Sequence, residues 1–119
     1  MYLKIIWIVA IFLFLLGCVN DETSNSTIWV YQYQQSQTCQ LDSGLTQQQV
    51  RQSLDDAGIA VLCQGMGHTG LPQASVCGIT TNEIYAFEIF KDKLLEAENL
   101  GYLILDDLEH AEIEVSCKE

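Results

Sequence analysis

Two stretches of the chain echo each other: "SLDDAGIAVL" (residues 53–62) and "LEAENLGYLIL" (residues 95–105). Each runs from a polar, helix-patterned segment through a single glycine into an apolar run. A glycine at that point supplies the left-handed residue that closes a helix, and an apolar run directly after it reads as a buried strand. The first helix carries its own punctuation. Thr46 stands as N-cap with Gln49 three residues on, the spacing of a capping box, and Leu45 and Val50 are placed for a hydrophobic staple. Val50, Leu54 and Ala57 recur at i, i+4 and i+7 as one buried stripe. In the second helix Leu94, Ala97 and Leu100 play that part, and Gly101 is the C-cap.

An aromatic strand precedes each helix. "IWVYQY" (28–33) alternates Trp29, Tyr31 and Tyr33 against Val30 and Gln32, and a further strand covers about Ile84–Ile89. "IAVLC" (59–63) is a buried strand and "YLIL" (102–105) a fourth. The tail "AEIEVSC", with Ile113, Val115 and Cys117 alternating with Glu112, Glu114 and Ser116, is a fifth at an edge. "QGMGHTGLPQAS" (64–75), with three of the eight glycines and the only proline, Pro72, reads as a loop. The order strand–helix–strand, twice over, predicts an α+β domain of ferredoxin-like, split βαβ type. Two helices would pack on one face of a four- to five-stranded antiparallel sheet, with strands one and three central. With Tyr31 and Tyr33 turned toward the helices, Val30, Gln32 and Gln34 would line the open face. This architecture carries no function with it.

The N-terminus supplies the address. Met1–Lys4 gives a short basic region, and Ile5–Leu16 is an unbroken apolar run of 12 residues, ending at Gly17 and Cys18. That length suits a secretory h-region and falls short of the roughly 20 residues of a membrane-spanning helix. "LLGC" (15–18) resembles the lipobox of bacterial lipoproteins. The resemblance covers residues 1–18 and implies a signal peptide at 1–17, with diacylglycerol on the sulfur of Cys18 and an acyl chain on its new amino terminus. Several acyl chains would hold the protein firmly to a membrane. By the same resemblance, Val19 in place of an Asp implies the outer membrane, with the domain facing the periplasm. Residues 18–27 form the lipidated cysteine and a polar tether, and 28–119 the folded domain.

The charge excludes one class of partner. The formal net charge is −11, from 5 Lys+Arg and 16 Asp+Glu. With Lys4 set aside in the leader, four cations face 16 acids, leaving −12. So acidic a domain repels phosphate backbones, and nucleic-acid binding is not expected.

Beyond Cys18 the cysteines are Cys39, Cys63, Cys77 and Cys117, a number that suggests two disulfides in a small secreted domain. Of the three connectivities we expect Cys63 with Cys77 across the Gly-rich connection, and Cys39 with Cys117 pinning the tail. The alternative chemistry is a soft metal site for Cu(I) built from Cys63, Met66 and His68. A methionine-bearing loop on such a fold is similar to small copper chaperones, whose paired C-x-x-C is missing here. His68 and His110 are the two imidazoles, with no G-x-S-x-G or H-E-x-x-H context, so no catalytic residue and no cofactor is expected. The acidic run "DDLEHAEIE" (106–114) lacks the EF-hand spacing and reads as a solvated face. The expectation is a non-catalytic binding module meeting an envelope protein partner, with an envelope metal-binding protein as the alternative.

Overall fold

The computed structural model describes residues 26–117. Cys18, the leader and all but the last two residues of the tether lie outside them. The described part is an α+β domain. Its strands are β1 (Thr27–Tyr33), β2 (Cys63–His68), β3 (Glu83–Phe90), β4 (Leu103–Ile104) and β5 (Glu112–Cys117). Its helices are α1 (Gln47–Asp56) and α2 (Leu94–Asn99). The sheet is antiparallel throughout, in the order β4-β1-β3-β2-β5.

Helix α1 forms where the capping residues place it. Thr46 Oγ1 accepts from the Gln49 amide at 3.1 Å, and the Gln49 side chain accepts from the Thr46 amide at 2.8 Å. Gly58 and Gly101 adopt left-handed φ values of 73° and 95° after the two helices, as their positions predict. Val50 and Leu54 of α1 and Ala97 of α2 pack with Val30, Tyr85, Phe87, Ile89 and Tyr102 in one buried cluster, so both helices cover the same face.

Three expectations are corrected. The second strand is displaced: "IAVLC" enters the sheet only at Cys63, and the ladder continues through Gln64, Gly65, Met66, Gly67 and His68, residues read as loop. Ile59 and Val61 instead pack into the helix-side core on the way to it. The faces of β1 are exchanged: Val30 is the residue turned to the helices, whereas Trp29, Tyr31 and Tyr33 lie on the opposite face with Ile84 and Ala86. Alternation defines two faces but does not say which one the helices cover. Here another element covers the ring set, with Tyr31 buried and Trp29 and Tyr33 half-buried.

That element is the chain after β4. Because β4 and β5 occupy opposite edges, residues 105–111 must cross the whole sheet, about 19 Å at the usual strand spacing. This strap runs over the helix-free face, packing Leu105 and Leu108, with Ile113 beyond them, against Tyr31, Ile84 and Ala86.

The third correction is the cysteine pairing: Cys63 is bonded to Cys117 and Cys39 to Cys77. Register dictates the first pair, since Cys63 and Cys117 stand directly opposite on β2 and β5 with Cα atoms 4.2 Å apart. The second joins the two loops at the other end of the sheet.

Candidate functional site

The loops at the far end of β1 build an open recess. Tyr33 closes β1, and the chain then turns through Gln35, Cys39 and Asp42, three non-glycine residues with φ near 60°. Such residues each cost roughly 1–2 kcal/mol unless their surroundings hold them. Here the hold is visible. Ser36 is buried, its Oγ donates to Glu83 at 2.8 Å and lies 2.5 Å from Thr81 Oγ1. The Thr38 amide donates to Ile79 at 2.9 Å, and the Thr38 hydroxyl donates to the Val76 carbonyl. The Cys39–Cys77 disulfide closes the same pair of loops covalently.

Between these loops lies an open depression of about 380 Å³, walled by Leu71, Pro72 and Ile79 and edged by Tyr33, Gln73, Thr80 and Asn82. A second hollow of about 330 Å³ adjoins it, sharing Gln73 and Ala74 and reaching Thr38, Cys39 and Val76. Asn82 is anchored at both ends: its side-chain amide donates to the Leu71 carbonyl at 2.7 Å, and its backbone amide donates to Gln73 Oε1 at 3.1 Å. Among the described residues no Asp, Glu, Lys, Arg or His lines either hollow. Tyr33 stacks edge-on against Tyr31, with ring centroids 5.9 Å apart, so its ring is braced from the sheet side. Apolar walls with a few fixed amides and hydroxyls give the depression both packing surface and hydrogen-bonding groups of set orientation.

The residues singled out for metal chemistry do not meet. Cys63 faces the strap side of the sheet and is bonded to Cys117, whereas Met66 and His68 alternate onto the helix side. His68 accepts at Nδ1 from the Gly70 amide at 3.2 Å and lies 3.6 Å from Glu112 through Nε2. Among the described residues no three His, Cys, Asp or Glu side chains converge on one point. The acidic run is divided between the strap, with Asp106 and Asp107, and the helix-side row of β5, with Glu112 and Glu114.

Sequence reasoning passed over Tyr33, Gln73, Thr80 and Asn82 as site residues. Pro72 marks a loop there, but nothing in the local sequence joins it to the loop after β1. Comparisons with protein-family models, with curated proteins and with solved structures find no match to this chain.

Proposed function

We propose that this chain is a bacterial envelope lipoprotein, held by acyl chains on Cys18 at the outer membrane and facing the periplasm. Its domain acts there as a non-catalytic binding module through the loop-lined depression. The domain reads as a ferredoxin-like split βαβ unit with a fifth strand appended. In support, the order β4-β1-β3-β2 has α1 between β1 and β2 and α2 between β3 and β4. Two disulfides in so small a domain fit an oxidising compartment.

The observation that carries the reading is the placement of β1. Its first residue, Thr27, continues from the tether, and its last, Tyr33, edges the depression. Seven residues of strand separate the two by about 20 Å. A module tied to lipid by Cys18 would therefore hold its recess at the pole away from the bilayer, where an envelope partner can reach it.

The test has two parts. Intact mass of the protein extracted from membranes should match a chain beginning at acylated Cys18, and Cys18→Ser should remain an unacylated precursor. A photo-reactive phenylalanine replacing Tyr33 should give a discrete adduct in intact cells, while the same group replacing the exposed Leu95 of α2 gives none. An unacylated wild type refutes the anchor. Equal labelling from the two positions, or none from Tyr33, refutes the recess as the binding surface.

A further inference from the structure

The strap is seated by Leu105 and Leu108 on the helix-free face, but β5 beyond it is held by its backbone ladder to β2, by Ile113 and by one covalent bond. Of the six residues of β5 only Ile113 is half-buried, and Val115 is 51% exposed. The ladder to β2 is poor in side-chain contacts. On the strap side Val115 and Ile113 stand opposite Gly65 and Gly67, which present no side chain. On the helix side the pairs are Gln64–Ser116, Met66–Glu114 and His68–Glu112, none of them apolar on both strands. Cross-strand side-chain pairs supply much of a sheet's cohesion, and this ladder has no apolar pair: it offers the exposed His68–Glu112 contact at 3.6 Å at one end and the Cys63–Cys117 bond at the other. The helix-side core contains no residue of β5, and on the other face Ile113 alone of β5 joins the cluster around Tyr31, Ile84 and Ala86.

We propose that the Cys63–Cys117 disulfide is a redox-sensitive clasp. When it is reduced, β5 comes away from the edge of β2 and Ile113 leaves the face that carries Ile84 and Ala86. The reductant is a dithiol. Its thiolate attacks the sulfur of the exposed Cys117, and the Sγ–Sγ bond breaks with Cys63 leaving as thiolate. The second thiol of the reductant then displaces Cys117 from the mixed disulfide. Two electrons and two protons pass to the cysteines, and the reductant ends as a disulfide. A disulfide oxidant closes the clasp again, taking back two electrons and two protons and ending as a dithiol, because the β2–β5 register returns the two sulfurs to each other.

The experiment is hydrogen exchange on the membrane-extracted full chain bearing Cys39→Ser and Cys77→Ser, so that the clasp is the one disulfide left in the domain, with and without dithiothreitol. Reduction, verified by alkylation of Cys63 and Cys117, should speed exchange at 112–117 by at least about tenfold while 84–90 stays protected. Unchanged protection at 112–117 overturns the proposal, since the ladder then holds β5 unaided. Equal acceleration at 84–90 overturns it as well, since the bond would then staple the whole fold. If the double variant does not fold, the wild type is reduced in steps, the open pair identified by alkylation, and the same two segments compared.

Discussion

Tyr102 Oη donates to the carbonyl of Val50 at 2.6 Å and sits 2.8 Å from Ser53 Oγ, tying the start of the β4 segment to the middle of α1. The ring itself is buried and meets Phe87 edge-on at 6.1 Å. One side chain thus fastens the second half of the domain to the first. Removing the hydroxyl leaves the Val50 carbonyl with its bond from Ser53 Oγ at 3.0 Å, so no acceptor is orphaned. Tyr102→Phe should cost about 1 kcal/mol and Tyr102→Ala about 3–5 kcal/mol, read as the shift in urea midpoint at constant slope. An equal loss in both variants would mean that the hydroxyl, not the ring, dominates.

Alkaline pH should unfold the domain. Burial raises the Tyr102 phenol above its ordinary value, partly offset by the bond to Ser53 and reinforced by Asp55. Burial raises Tyr85, with Glu83 adding to it, and burial raises Tyr31, with Tyr33 and Asp107 adding. All three bind their protons more tightly folded than unfolded, so the stability they confer is intact below about pH 10 and drains away as pH climbs through the folded values. Phenolate absorbance should rise together with the loss of near-ultraviolet dichroism, and Tyr85→Phe with Tyr102→Phe should flatten the slope. Tyrosines that titrate in a still folded domain would contradict this.

Gly67 stands where β5 comes closest. A Cβ there would lie 1.8 Å from the Glu112 carbonyl oxygen, and a backbone atom cannot step aside as a side chain can. Gly67→Ala should therefore push β5 off the ladder, at a cost of about 1–3 kcal/mol, with lost exchange protection confined to 112–117. Gly58→Ala is the contrast: nothing lies within 4 Å of its Cβ, and its penalty is conformational alone, from φ 73°.

A peptide map without reduction should yield the pairs Cys39–Cys77 and Cys63–Cys117. Losing either bond should destabilise the domain by about 2–4 kcal/mol, given separations of 38 and 54 residues. A Cys63–Cys77 peptide would overturn the β2–β5 register itself.

What the sequence made legible was whatever it wrote locally. Thr46, Gln49, Gly58 and Gly101 announce their roles through spacing of a few residues, and the structure places each in that role. The recess was not legible because it joins residues 33–40 to 71–82, a contact set by the sheet and a disulfide rather than by any local pattern. Strand β2 was missed for a different reason. Two of its six residues are glycines, invisible to hydropathy, while the more apolar "IAVLC" before it serves the core without joining the ladder until Cys63. The aromatic alternation of β1 marks it as a strand, but its cover comes from Leu105 and Leu108 of the strap, far downstream in the chain. The cysteine pairing followed from that same strap, because only once β5 has crossed to the β2 edge does Cys117 face Cys63.

The course of β1 from tether to recess also sets how the domain would bear a mechanical load. A pull between Thr27 and a ligand seated beside Tyr33 acts along the strand, at right angles to its hydrogen bonds with β3. Those seven residue pairs would be sheared together instead of opened one after another. The same pull bypasses β5, the most weakly packed strand, which hangs on the far side of β2. Tension would thus be borne by the best-buried pair of strands in the sheet.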